Sequence, residues 1–221
     1  MLEPTLTFFA IAALAVVFAA VSKAGFGSGA AFASASILAL IVEPGTALAF
    51  MLPLLMLIDA ASLRPYWGRW HIGCSLRLIT GALPGVALGV LFFQAVDADG
   101  MRLMIGAISL AFVAWQMSGP LRVRLAAAGM PAWVGVLAGA AAGFASFVSH
   151  AGGPPAAVYL LGRGMGKTEY QATTVLVFGV VNAVKAIPYA GLGLFTPETL
   201  AAALGQLASG SLLHCWRCLR A

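Results

Sequence analysis

Residues 149–155 read "SHAGGPP", and they interrupt an otherwise apolar sequence. "WVGVLAGAAAGFASFV" (133–148) precedes them and "AAVYLLG" (156–162) follows. Two glycines and two prolines end a helix there, because glycine frees the backbone and proline removes an N–H donor. A histidine in such surroundings needs a hydrogen-bond partner. The stretch therefore predicts a helix that stops, turns and restarts inside an apolar environment.

The rest of the sequence fixes what that environment is. Of 221 residues, 62% are hydrophobic and 9% charged, against about 25% charged in a soluble domain. Such a chain is an integral membrane protein. The net charge of +5 is dispersed between apolar runs, which is a topology signal and excludes a nucleic-acid surface. Neither zinc-type spacings nor a cofactor motif occurs, so no metal or cofactor is expected. Cys215 and Cys218 have CxxC spacing, without the βαβ context of a redox site. The N-terminus lacks a basic leader and a cleavage signal and reads as retained.

Apolar runs fall at 5–22, 28–42, 46–63, 76–95, 101–118, 131–148, 154–162, 169–190 and 198–213. A spanning helix needs about 20 residues. The runs 28–42 and 154–162 are short, roughly 22 and 14 Å by helical rise, and each follows a glycine-rich break. Each is expected to form a re-entrant hairpin with the run before it. The first repeat is then 1–118, with hairpin 5–42 and spans 46–63, 76–95 and 101–118. The second is 131–213, with hairpin 131–162 and spans 169–190 and 198–213, leaving 214–221 as an atypical tail. With the N-terminus outside, Arg64, Arg69, Arg77, Arg122, Arg124, Arg163, Lys167, Arg217 and Arg220 fall inside. Glu3, Glu43, Asp97, Asp99 and Glu198 fall outside, and Arg102 is the exception among the basic residues. This asymmetry in Lys and Arg sets the orientation.

The two halves resemble each other. "SKAG" (22–25) parallels "SHAG" (149–152), and "DAASLRPY" (59–66) parallels "NAVKAIPY" (182–189). The expected fold is an all-α integral membrane protein of two inverted repeats, each a broken, re-entrant helix hairpin followed by transmembrane helices. The second half holds one span fewer, and the tail "SLLHCWRCLRA" reads unlike the rest. A truncated or shifted reading frame near residue 208 is the expectation that follows.

Irregular backbone in a membrane is tolerated only in protein or beside a wet cavity. A helix that begins at such a place offers N–H donors and a partial positive charge, an anion site. Pro154 suits the first position of the new helix, and Ser28 caps the other. Substrate contacts are expected from Lys23, Gly25, Gly27, Ser28, Gly29, His150, Gly152 and Gly153, with Lys23 and His150 supplying positive charge. His150 is also a candidate proton carrier, and its structural alternative is a neutral histidine bonded to a backbone carbonyl. Asp59, Asn182 and Lys185 are candidates for coupling or for structural roles, since ionisable residues in a membrane are costly. The structural alternative for Asp59 is a pair with Lys23 or Lys185 that holds the bundle together. Lys185 either joins this group or snorkels to an interface, and Asn182 suits an interhelical hydrogen bond.

The motifs "KAGFGSGAAF" (23–32), "ALPGVALGV" (82–90) and "GGPPAAVYLL" (152–161) resemble the sulfite exporter TauE/SafE family of bacterial membrane proteins, up to about Gly205. The resemblance implies a multi-pass plasma-membrane permease of two repeated halves that moves sulfite, thiosulfate, sulfoacetate or related organic anions. Family members usually carry a further C-terminal span with an "LPxxxLG"-like start, where this chain has "LGQLASGSLLHCW" (204–216). The expected partners are a small anion and the lipid bilayer, with no nucleic acid, and an oligomer is compatible with the sequence. No enzymatic activity is expected. An intramembrane enzyme using His150 as base would find only Ser149 and Asp59 to assist it. A non-transporting accessory subunit is the other alternative.

Overall fold

The computed structural model describes residues 10–17, 19 and 32–208, which are helical throughout apart from turns and connections. Lys23, Gly25, Gly27, Ser28 and Gly29 lie outside the described residues, as does the tail. The helices are α1 (10–17), α2 (Phe32–Ala39), α3 (Pro44–Leu63), α4 (Ile72–Ala95) and α5 (Ala98–Met117). They continue as α6 (Gly119–Ala128), α7 (Val134–Ser149), α8 (Gly153–Leu161), α9 (Lys167–Gly191) and α10 (Pro197–Ala208).

Their starts are written locally. The Glu43 carboxylate accepts from the N–H groups of Gly45 and Thr46 at 3.2 and 3.1 Å, and Pro44 opens α3. Asp97 accepts from Gly100 N–H at 2.8 Å at the start of α5. His71 caps α4 through Nδ1, which accepts from Cys74 N–H at 3.2 Å. A polar acceptor at a helix start satisfies orphan donors and, where anionic, suits the dipole.

Among the described residues α3, α4, α5 and α9 are long and apolar enough to cross a membrane. Their burial pattern is that of a protein in lipid. Leu103 is 76% exposed and Leu110 72%, whereas Lys185 is 0% exposed and Asp59 4%. Segment 119–128, which the charge count treats as a loop carrying Arg122 and Arg124, is a helix instead. Pro120 lies in its first turn, strong helix formers follow, and Gly129 at φ 70° closes it.

The closest helix pair is α4 against α7, and it rests on two glycine series with a four-residue spacing. Gly81, Gly85 and Gly89 recur along α4, and Gly135, Gly139 and Gly143 along α7, where Gly135 admits the Tyr159 ring of α8. A Cβ on Gly81 would overlap the Val136 carbonyl, and one on Gly85 the Ala140 carbonyl. In return, Gly139 admits the Leu78 carbonyl and Gly143 the Ala82 carbonyl. Backbone thus packs on backbone, as small residues permit in membranes, where dispersion replaces the hydrophobic effect as the drive to associate.

The hairpin α7–α8 is pinned at its open end. Met130 N–H donates to Gly162 O at 2.9 Å, and Arg163 donates to Met130 O at 3.0 Å. The chain therefore leaves this hairpin where it entered. At 16 residues, α7 is ~24 Å long by helical rise, short of the ~30 Å hydrocarbon layer.

Gly85→Val or Gly139→Val is expected to push α4 from α7 and destabilise the fold by about 1–3 kcal/mol or more. Gly106→Ala on α5, where nothing among the described residues lies within 4 Å, should be neutral or stabilising by up to ~1 kcal/mol. Thermal unfolding of the detergent-purified variants measures both.

Candidate functional site

The break is built around His150. It is the one non-glycine residue with positive φ among the described residues, at φ 56°. Its N–H donates to Ser146 O at 3.0 Å, and Ala151 N–H donates to Ala145 O at 3.2 Å. The left-handed conformation costs about 1–2 kcal/mol in a residue with a Cβ, so the surroundings must hold it. The chain then folds back along α7. A Cβ on Gly152 would lie 2.6 Å from the Phe178 ring, 2.7 Å from Ala142 O and 3.0 Å from the Ser146 Cβ. Only glycine fits there.

His150 is 6% exposed, and both ring nitrogens are engaged. Nε2 lies 3.1 Å from Leu48 O on α3, and Nδ1 lies 2.8 Å from Lys185 Nζ on α9. A carbonyl only accepts, so Nε2 carries a hydrogen and donates to Leu48 O. Lysine is the stronger base of the two, so it takes the shared proton as an ammonium and Nδ1 accepts from it. With both roles filled, His150 is the neutral Nε2–H tautomer and Lys185 holds the positive charge. The Lys185 ammonium also donates to Ser146 O at 2.8 Å and to Ser146 Oγ at 3.1 Å.

These bonds close the end of α7. The last carbonyls of a helix have no partner within it. Ser146 O, which accepts from His150 N–H, accepts again from Lys185, and Phe147 O accepts from the Tyr189 hydroxyl at 2.7 Å. A cation at a helix C-terminus also suits the dipole. One turn before Lys185, Asn182 Nδ2 donates to the Asp59 carboxylate of α3 at 2.6 Å. Asn182, Lys185 and Tyr189 are spaced by three and four residues and share one face of α9. That face meets α3 and the broken end of α7 together.

The structure thus gathers Asp59, His150, Gly152, Asn182 and Lys185 into one buried neighbourhood, with Gly153 opening α8. Lys23, Gly25, Gly27, Ser28 and Gly29 lie outside the described residues. Three expectations change. Lys185 does not snorkel: it is fully buried on three acceptors. His150 is not the cation here, because an imidazolium has no lone pair for Lys185. Helix α8 begins at Gly153, which places Pro154 second and Pro155 third. The two prolines remove two first-turn donors, so the N–H groups of Gly152 and Gly153 are what this end offers. Sequence reasoning also missed Ser146 and Tyr189. Tyr189 belongs to the Pro-Tyr match between the halves, and Ser146 is a hydroxyl one helical turn before His150.

Tyr189→Phe keeps the ring and strands the Phe147 carbonyl. A loss of about 1–3 kcal/mol is expected, read as a lower unfolding temperature in detergent. An unchanged temperature would show that another donor closes α7.

Residues 12–216 match the sequence model of the family described as Sulfite exporter TauE/SafE. The match runs past Gly205, up to which the motif resemblance extends. Comparison with curated proteins and with solved structures gives no match. Since the family match covers most of the sequence, the chain belongs to the sulfite exporter TauE/SafE family, membrane transporters of sulfur-related anions.

Proposed function

We propose that the chain is a secondary transporter of a small anion, a sulfur oxyanion or sulfonate, across the bacterial plasma membrane with its N-terminus outside. The observation that carries the site is the fully buried Lys185 ammonium, held by Ser146 and His150 where α7 is broken and α8 begins. A buried cation beside a helix N-terminus is a place for an anion. Ser146 links the two features: its hydroxyl accepts from Lys185, and its Cβ lies beside Gly152. The proposed substrate contacts are Lys185, His150 and the N–H groups of Gly152 and Gly153. Lys23, Gly25, Gly27, Ser28 and Gly29 complete the site from the first half.

Two inverted halves fit this reading. Asp59 and Asn182 occupy matched sequence positions, and they touch at 2.6 Å. Residues related by a two-fold axis meet only close to that axis, so the contact supports an axis between α3 and α9. Inverted repeats with a substrate site at their interface are a common plan of secondary transporters.

Uptake of labelled sulfite, thiosulfate, methanesulfonate and acetate into proteoliposomes tests the function. Flux of at least one sulfur anion above protein-free liposomes is expected. Lys185→Met should lower it about 10- to 100-fold, the equivalent of one hydrogen bond to a charged group. Absence of flux for all four anions would refute transport. Wild-type flux in Lys185→Met would move the site elsewhere.

A further inference from the structure

The 2.8 Å contact between Lys185 Nζ and His150 Nδ1 limits how much charge this place can hold. A hydrogen bond needs a lone pair on one side. An ammonium has none, and neither has an imidazolium. While the contact is closed, the pair therefore carries one positive charge. A second proton, on His150 Nδ1, must break the contact and set two buried cations against each other. An anion between them removes that conflict, because each cation then donates to an anion oxygen. The Nε2–H bond to Leu48 O survives the change, since both protonation states of the ring keep that hydrogen.

Among the described residues, the titratable groups near this place besides His150 and Lys185 are Tyr189 and Asp59. α9 adds Tyr189, whose hydroxyl is committed to Phe147 O, and Asn182, which cannot titrate. α3 adds Asp59, whose described partner is Asn182. α7 adds the hydroxyls of Ser146 and Ser149, the latter donating to Ala145 O. Gly152 and Gly153, where α8 begins, bring backbone alone.

We infer that each anion is carried together with one proton, and that His150 Nδ1 is the proton's carrier. The inference rests on the anion-transport reading above. In the empty state Nδ1 accepts from Lys185. In the loaded state Nδ1 has taken a proton from the water that admits the anion, and it returns that proton to water on the other side as the anion leaves. Anion and proton each raise the affinity for the other by the same factor. The empty pair returns with one charge, closed on itself.

Proteoliposomes of the full chain test this, with thiosulfate and methanesulfonate as probes. Both stay fully ionised near neutral pH, so neither ferries a proton as sulfite would. Anion uptake and internal acidification are recorded together with the membrane voltage clamped. About one proton per anion is expected for the unaltered chain, with flux falling as pH rises. His150→Gln retains an oxygen to accept from Lys185 but cannot take the second proton. Its residual flux should show a proton-to-anion ratio near zero and no pH dependence. Anion flux without acidification in the unaltered chain overturns the inference and leaves transport standing. An undiminished ratio in His150→Gln overturns the assignment to His150. No flux of either probe by the unaltered chain overturns the coupling and counts against the transport reading itself. Should His150→Gln not fold, the ratio in the unaltered chain decides the coupling and the ratio in His150→Asn decides the carrier.

Discussion

A helix whose end is buried away from water leaves carbonyl groups that no solvent can hydrogen-bond, and α7 is such a helix, with Ser149 fully buried. Its end is closed partly by its own chain, through His150 N–H on Ser146 O and Ala151 N–H on Ala145 O, and partly by a neighbour. Lys185 and Tyr189, one turn apart on α9, donate to the carbonyls of Ser146 and Phe147. His150 turns the chain in a left-handed conformation and is held by Leu48 of α3 and Lys185 of α9. Three helices must therefore be in place before the break is stable. The glycine faces of α4 and α7 help supply that placement, because a contact of backbone on backbone leaves little freedom to slide.

The same closure explains the charge. A buried ammonium costs several kcal/mol unless its donors are all used, and here Ser146 and His150 between them accept three bonds. The residue that caps the helix is thus the residue that brings positive charge to the break. In the proposed transport reading, an anion entering beside α8 would meet a cation already desolvated and held by Ser146 and His150. His150 in its neutral tautomer links the ammonium to α3 and so couples the state of the site to the packing of the helices around it.

Much of this was legible in the sequence. Low charge and long apolar runs identify a membrane protein, "SHAGGPP" marks the break, and the glycine-proline motif points to the family that the match over residues 12–216 shows. The helix α6 was hidden because its arginines read as loop charge, although its residues favour a helix. The two four-residue glycine series were also in plain view, and their meaning emerges only when the Val136 and Ala140 carbonyls are found where a Cβ would be. Lys185 could not be placed from the sequence, because a lysine at that depth of α9 reaches an interface or a buried acceptor equally well by length.

The sequence by itself determined that the chain lies in lipid, where it breaks, and that an ionisable residue stands at the break, since these depend on composition and local backbone chemistry. The tertiary structure decided which group carries the charge. Protonation depends on who donates to whom, and the 2.8 Å approach of Lys185 to His150 joins residues from different helices. That approach makes the histidine an acceptor and the lysine the cation, an assignment no local pattern contains.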